Sequence, residues 1–220
     1  NNLEPFALLD LNEMESVALP AGVNVVVQVD RAPGYDTGNG NWTDTRWGAI
    51  THDANPRLVS SPLASLGELN TGAGANLTDF INRATAAYPA AHYGLVVWDH
   101  GGGLSGTCWD DSSGGDNLTL AEFASAVASS AAPHLDFLGF DACLQGLTEQ
   151  AWDAAKLADV LVASEETEPG NGWDYHGFLS ALVANPGASS FDLGSAAVGS
   201  YLAQYAGQGG ITSIALRLGG

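Results

Sequence analysis

Two residue types suited to nucleophilic catalysis each stand at the end of a short apolar run. His100 follows Tyr93-Gly-Leu-Val-Val-Trp-Asp99 and leads into Gly101-Gly102-Gly103, and Cys143 follows Leu135-Asp-Phe-Leu-Gly-Phe140 inside Asp141-Ala142-Cys143. A thiol at its reference pKa of about 8.5 is only partly ionised near neutral pH, so a cysteine nucleophile gains from a nearby imidazole or a helix N-terminus. His100 would supply the imidazole. Helix formers beginning at Leu144 predict a helix to Leu157, whose dipole would favour thiolate at Cys143. Singly, each residue has a plainer reading: an inert strand-end histidine, and a cysteine buried as a small apolar side chain. The layout of strand and then reactive residue occurs twice, and that repetition points to a cysteine hydrolase.

Other chemistries fit less well. Gly101-Gly-Gly-Leu-Ser-Gly106 satisfies G-x-G-x-x-G after a strand, but Cys108-Trp-Asp-Asp-Ser-Ser-Gly-Gly115 opens no helix for a dinucleotide, and no Lys-Ser or Lys-Thr follows to make a P-loop. His-Gly-Gly-Gly as an esterase oxyanion loop would need a G-x-S-x-G elbow, and none occurs. The glycines beside His100 let a substrate backbone approach closely and offer a main-chain N–H, that of Gly101, to a developing oxyanion. Cys108 and Cys143 could instead form a disulfide, which would consume the nucleophile. Zinc is a poor fit, because no tight ligand pair occurs. Asp110, Asp111 and Asp116 could hold Ca²⁺, although their spacing is not that of an EF-hand and a solvated acidic loop is the simpler reading. The Cys–His chemistry itself requires no cofactor.

To bring His100 and Cys143 together the chain needs neighbouring strands. Short continuous apolar runs read as strands buried on both faces, as in a parallel sheet between helices, and residues just past the carboxyl ends of such strands line the ligand crevice. The spacing predicts a helix over 3–19, a buried strand over 22–30 and a long excursion over 31–73 with a short strand near Trp47–Ile50. A helix capped by Asn76 or Thr78 would run to Tyr88, and Pro89 would stop it. Beyond His100 come a polar loop over 110–117, a helix over 118–132, the Cys143 strand with its helix, a strand over 159–163, helices over 178–184 and 191–205, and an edge strand over 211–218. The expected fold is α/β, a three-layer αβα sandwich with a mostly parallel central sheet.

With 220 residues, 45% of them hydrophobic, the chain can bury one sizeable core, and we expect a single domain over 1–220. A net charge of −19, from 25 acidic against 6 basic residues, repels phosphate backbones and anionic lipid surfaces, so no nucleic-acid partner is expected. No run approaches the roughly 18 apolar residues of a membrane span. Asn1-Asn-Leu3 is no signal peptide, so any targeting segment lies outside this chain. Oligomeric state is not legible.

Trp98-Asp-His-Gly-Gly-Gly103, Gly139-Phe-Asp-Ala-Cys-Leu144 and Ser164-Glu-Glu-Thr-Glu-Pro-Gly-Asn-Gly-Trp-Asp-Tyr175 together resemble the clostripain family of cysteine peptidases, within the caspase-like, gingipain-like and legumain-like clan. The resemblance extends to Asn1-Asn-Leu-Glu-Pro-Phe6 and Val27-Gln-Val-Asp-Arg31-type segments near the start, and covers most of the chain. It implies a caspase-like fold and a secreted, cell-surface or periplasmic endopeptidase cutting protein or peptide substrates after Arg or Lys. Cys143 would be the nucleophile, His100 would protonate the leaving amine, and Asp141 and Asp174 would form an acidic S1 pocket, since a guanidinium fork is best held by carboxylates. Asp141 could alternatively cap the next helix. Members usually carry one more strand before the position of Asn1, so the sheet is expected to lack one. They also commonly mature by self-cleavage after a basic residue between histidine and cysteine. From Arg83 to Lys156 this chain has no Lys or Arg. That departure, with the missing strand, keeps open a catalytically silent relative that binds a peptide or partner through the same crevice.

Overall fold

A computed structural model describes residues 1–218. In chain order its elements are α1 (Glu4–Glu15), β1 (Val26–Asp30), β2 (Thr45–Ala49), β3 (Ala64–Gly67), α2 (Gly74–Ala87), β4 (Gly94–Trp98), β5 (Thr107–Asp110), β6 (Asp116–Leu118), α3 (Leu120–Ala128), β7 (Phe137–Asp141), α4 (Thr148–Ala154), β8 (Val160–Ala163), α5 (Tyr175–Ala184), α6 (Ser190–Gln204) and β9 (Ile214–Arg217). The fold is mixed α/β. Its four-stranded sheet runs β4-β7-β8-β9, with β4, β7 and β8 parallel and β9 antiparallel to β8.

The centre of that sheet is apolar because both of its faces are covered. Every residue of β7 and β8 is buried. Leu138, Phe140, Leu161 and Ala163 pack with Ile81 of α2, Phe123 and Val127 of α3 and Ala154 of α4. The alternate residues Phe137, Val160 and Val162 pack with Phe178 and Leu179 of α5 and Ala197 and Tyr201 of α6. Period-two alternation sends successive side chains to opposite faces, so one strand feeds two clusters. Full burial of a side chain such as Phe140 contributes about 1.5–3 kcal/mol. Side-chain caps set two of the helix starts: Thr119 and Glu122 form a reciprocal capping box on α3, and Ser189 accepts from Asp192 N at α6.

Four sequence expectations change. The run 22–30 was expected as a buried strand in the β–α alternation; β1 is instead half-buried and pairs antiparallel with β2, Val26 opposite Ala49. The excursion folds back on it, making a separate β1-β2-β3 sheet whose Val25, Val27 and Val29 pack near Leu8, Leu11 and Ile50. The helix predicted from Leu144 starts only at Thr148, because Leu144 adopts φ +60° and Gly146 N bonds Ser164 O at 2.7 Å. Neither Asn76 nor Thr78 caps α2, which begins after Ala73 without a side-chain cap. The polar loop expected over 110–117 is instead the end of β5, a turn over 111–115 and the start of β6, paired as a hairpin.

Candidate active site

β4 and β7 are neighbours in parallel register, with Trp98 opposite Asp141. His100 and Cys143 are each two residues beyond that pair, so the two reactive residues emerge side by side from the same end of the sheet. The backbones touch there. Asp99 N donates to Asp141 O at 3.3 Å, and a Cβ on Gly101 would lie 1.9 Å from Cys143 O, so only glycine allows this approach.

Around Cys143 the expected helix dipole is absent, since residues 144–147 are not helical. A single amide takes its place: Glu168 N donates to Cys143 Sγ at 3.2 Å. The loop carrying that amide is tied down by Leu144 N to Glu166 O at 3.0 Å and Ser164 Oγ to Glu166 O at 3.0 Å. Beneath, buried Gln145 donates to Gly106 O at 3.2 Å. The second thiol differs. Cys108 and Cys143 are both free, and burial, then the charge of Asp99, pushes the Cys108 thiol far above its ordinary value. The disulfide alternative is therefore not what this structure holds.

His100 is fixed at its carbonyl by Thr107 Oγ1 (2.8 Å) and Cys108 N (3.3 Å). Its ring reaches Asn2, with Nε2 2.7 Å from Asn2 Oδ1. Gly102 N donates to Gly106 O at 2.9 Å, whereas among the described residues no such backbone bond engages Gly101 N, which stays the candidate oxyanion donor beside His100.

Behind the pair lies a group of buried acids. Asp141 is 4% exposed, and its Oδ2 accepts from Trp173 N at 3.2 Å and from Tyr175 Oη at 2.9 Å. Burial pushes its carboxyl up. Both oxygens of Glu168 are buried without a hydrogen-bond partner, and burial followed by the charge of Asp141 pushes Glu168 up to about 11. Asp141, with two donors, ionises first and Glu168 keeps its proton. Asp10 on α1 is 3% exposed with Oδ2 unpartnered; burial, then Asp141 and Glu13, push it up to about 9. Trp173 Nε1 is buried and unpartnered as well. Such groups are costly unless something pairs with them.

The predicted S1 residues therefore part company. Asp141 caps no helix and belongs to the buried group. Asp174 is the α5 N-cap, its Oδ1 accepting from Gly177 N at 2.8 Å. Glu168, Asp10 and Asn2 were not singled out from the sequence. Glu168 stands in the acidic run Ser164-Glu-Glu-Thr-Glu168, which was the available signal; Asp10 looks there like the solvated face of a helix.

Asp110, Asp111 and Asp116 are not gathered around one point. Asp110 accepts from Thr71 N (2.9 Å) and Ser113 N (3.0 Å), Asp111 from Tyr35 Oη (2.5 Å), and Asp116 from Asn70 Nδ2 (2.6 Å). Asp110 converges instead with Asp30 and Glu68, whose ligand oxygens lie within 4.8 Å of one another, the one such group among the described residues.

A family model described as the Clostripain family matches residues 1–216. Clostripain of Hathewaya histolytica is 30% identical over 222 residues, covering 87% of this chain and 42% of that protein. The chain thus spans well under half of that relative's length. Among solved structures, a secreted C11 cysteine protease from Bacteroides thetaiotaomicron, in complex with an irreversible peptide inhibitor, superposes with a TM-score of 0.79 at 23% identity, over 99% of this chain and 63% of the other. An inactive zymogen C11 protease from Parabacteroides distasonis gives 0.73 at 21%, over 99% and 58%. At these identities the structures establish a shared fold.

Proposed function

The chain belongs to the clostripain family of cysteine peptidases, and from that premise we propose an endopeptidase in which Cys143 and His100 form the catalytic pair and the P1 side chain is Arg or Lys. The observation that carries it is the register of β4 and β7, which brings both residues out at adjoining strand ends. The Cys143 thiolate, helped by the Glu168 amide, attacks the scissile carbonyl carbon. Gly101 N–H takes up the developing oxyanion. Imidazolium His100 protonates the departing amine, and water then hydrolyses the thioester with the same ring as base.

Specificity for a cation follows from the buried acids. A guanidinium would neutralise Asp141 and supply donors to the unpartnered oxygens of Glu168. Asp174 is left to α5, because its carboxylate is already held by the helix start. The same reading takes the four-stranded sheet, with its two clusters, as the middle of a three-layer caspase-like sandwich forming one domain, and the enzyme as secreted, which the acidic, lysine-poor composition supports. No Lys or Arg stands between His100 and Cys143, so self-cleavage after a basic residue in that segment is not open to this chain. The test is hydrolysis of fluorogenic peptides differing only at P1 (Arg, Lys, Asp, Asn, Ala) by the protein and its Cys143→Ala variant. Turnover confined to Arg and Lys and lost in the variant is expected; undiminished turnover in the variant would overturn the assignment.

A further inference from the structure

We propose that Asn2 is a positioning residue for this reaction: its side-chain carbonyl fixes the tautomer and ring orientation of His100, so that Nδ1 is the nitrogen that moves the proton. The proposal rests on the peptidase reading of His100 and Cys143. Asn2 Oδ1 lies 2.7 Å from His100 Nε2, across 98 positions of sequence. An amide oxygen only accepts, so the ring nitrogen facing it carries the hydrogen. In the neutral ring the lone pair is then on Nδ1. That atom takes the thiol proton and later gives it to the leaving amine, while Nε2–H stays on Asn2 through both transfers. The bond to Asn2 strengthens when the ring is charged.

Asn2 is itself held in place. Asn1 Oδ1 accepts from Leu3 N at 3.0 Å and Asn1 O from Glu4 N at 3.1 Å. Glu4 in turn is buried against Arg31, with Nε to Oε1 at 2.9 Å, and accepts from Ala32 N at 3.1 Å. The neighbouring side chain makes a matching contact: Asn1 Nδ2 donates to Asp99 Oδ1 at 2.5 Å and to Trp109 O at 3.1 Å. Asp99 has φ +147°, a conformation rarely taken by a residue with a side chain, and it sits immediately before His100. Two consecutive asparagines therefore hold two consecutive residues, the first the strained turn and the second the imidazole. Asp99 does not take the orienting role, since its carboxylate is engaged by Asn1.

The Asn2–His100 bond is exposed, so losing it should cost little stability and show in the chemistry. The experiment compares the protein with Asn2→Ala and Asn2→Asp, each checked by thermal melting, using ¹⁵N NMR of the histidine ring, kcat and KM on an Arg-P1 peptide, and the pH dependence of Cys143 alkylation. We expect the Nε2–H tautomer in the unaltered protein and a tautomer mixture in Asn2→Ala. In that variant kcat should fall about ten- to hundredfold, the worth of one hydrogen bond to a charged group, with KM within about twofold. Asn2→Asp keeps an acceptor and adds charge, so it should restore the tautomer and move the His100-dependent limb of both pH profiles upward. An Nδ1–H tautomer in the unaltered protein, or Asn2→Ala with unchanged tautomer and kcat, would overturn the proposal. Absence of turnover with any peptide, together with an Asn2-dependent tautomer, would leave Asn2 as the orienting group and remove the peptidase reading instead.

Discussion

Asp10→Asn should make the protein less sensitive to rising pH. Asp10 is 3% exposed, and its carboxyl is pushed from 3.8 up to about 9, first by burial and then by Asp141 and Glu13. In the unfolded chain it ionises near its reference value of about 3.9. Between those two values the unfolded state binds one proton fewer than the folded state, so the stability that the protonated group allows is present below about pH 4 and is lost as pH rises toward its folded value. One proton is worth about 1.4 kcal/mol per pH unit, which makes up to about 4 kcal/mol between about pH 5 and about pH 8. Asparagine has nearly the same shape and cannot ionise. Urea midpoints of the two proteins across that range should therefore diverge, the variant gaining on the parent by up to about 1.4 kcal/mol per unit. Parallel curves would show that Asp10 titrates alike in both states, and would refute the claim that it is buried protonated. Glu168, pushed the same way, adds its own slope, which Glu168→Gln would remove.

Further outcomes follow from other positions. Iodoacetamide near neutral pH should modify Cys143 well before Cys108, whose thiol is pushed up by desolvation and the charge of Asp99, and peptide mass mapping distinguishes them; equal rates would contradict that difference. Gly101→Ala should abolish hydrolysis and lower the melting temperature, because the new methyl would fall 1.9 Å from Cys143 O. Gly199→Ala in α6, where nothing lies within 4 Å, should instead stabilise by about 0.5–1 kcal/mol through helix propensity, read from urea midpoints.

The strands that carry His100 and Cys143 were readable in the sequence for a physical reason. β7 and β8 are buried on both faces, so their apolar residues are continuous, and the polar or reactive residue that ends such a run marks the strand end. β1 has a similar composition yet pairs in another sheet, because strand partners are decided by what the intervening chain does, and residues 31–73 return as β2 and β3. The candidate site was half legible for the same reason. His100, Cys143 and Asp141 each stand at a strand end with a local signature. Asp10, Glu168 and Asn2 acquire their surroundings only on folding: Asn2 meets His100 across 98 positions, and nothing in Asn1-Asn-Leu3 announces it. The helix expected after Cys143 fails because Leu144, a good helix former, is held at φ +60° by the pairing of its loop with residues 164–166.

The unequal surroundings of the two thiols bear on how the protein would respond to oxidants. A sulfenic acid formed at Cys143 is normally rescued when a second thiolate condenses with it. Cys108 is poorly suited to that part, since it is half-buried, donates to Trp98 O at 3.6 Å, and has its thiol pushed up by desolvation and the charge of Asp99. Without a second protein thiol, oxidised Cys143 is left to a small external thiol, to condensation with a backbone nitrogen such as that of Glu168, 3.2 Å away, or to the irreversible sulfinic stage, so alkylatable Cys143 should survive peroxide better when glutathione is supplied alongside it.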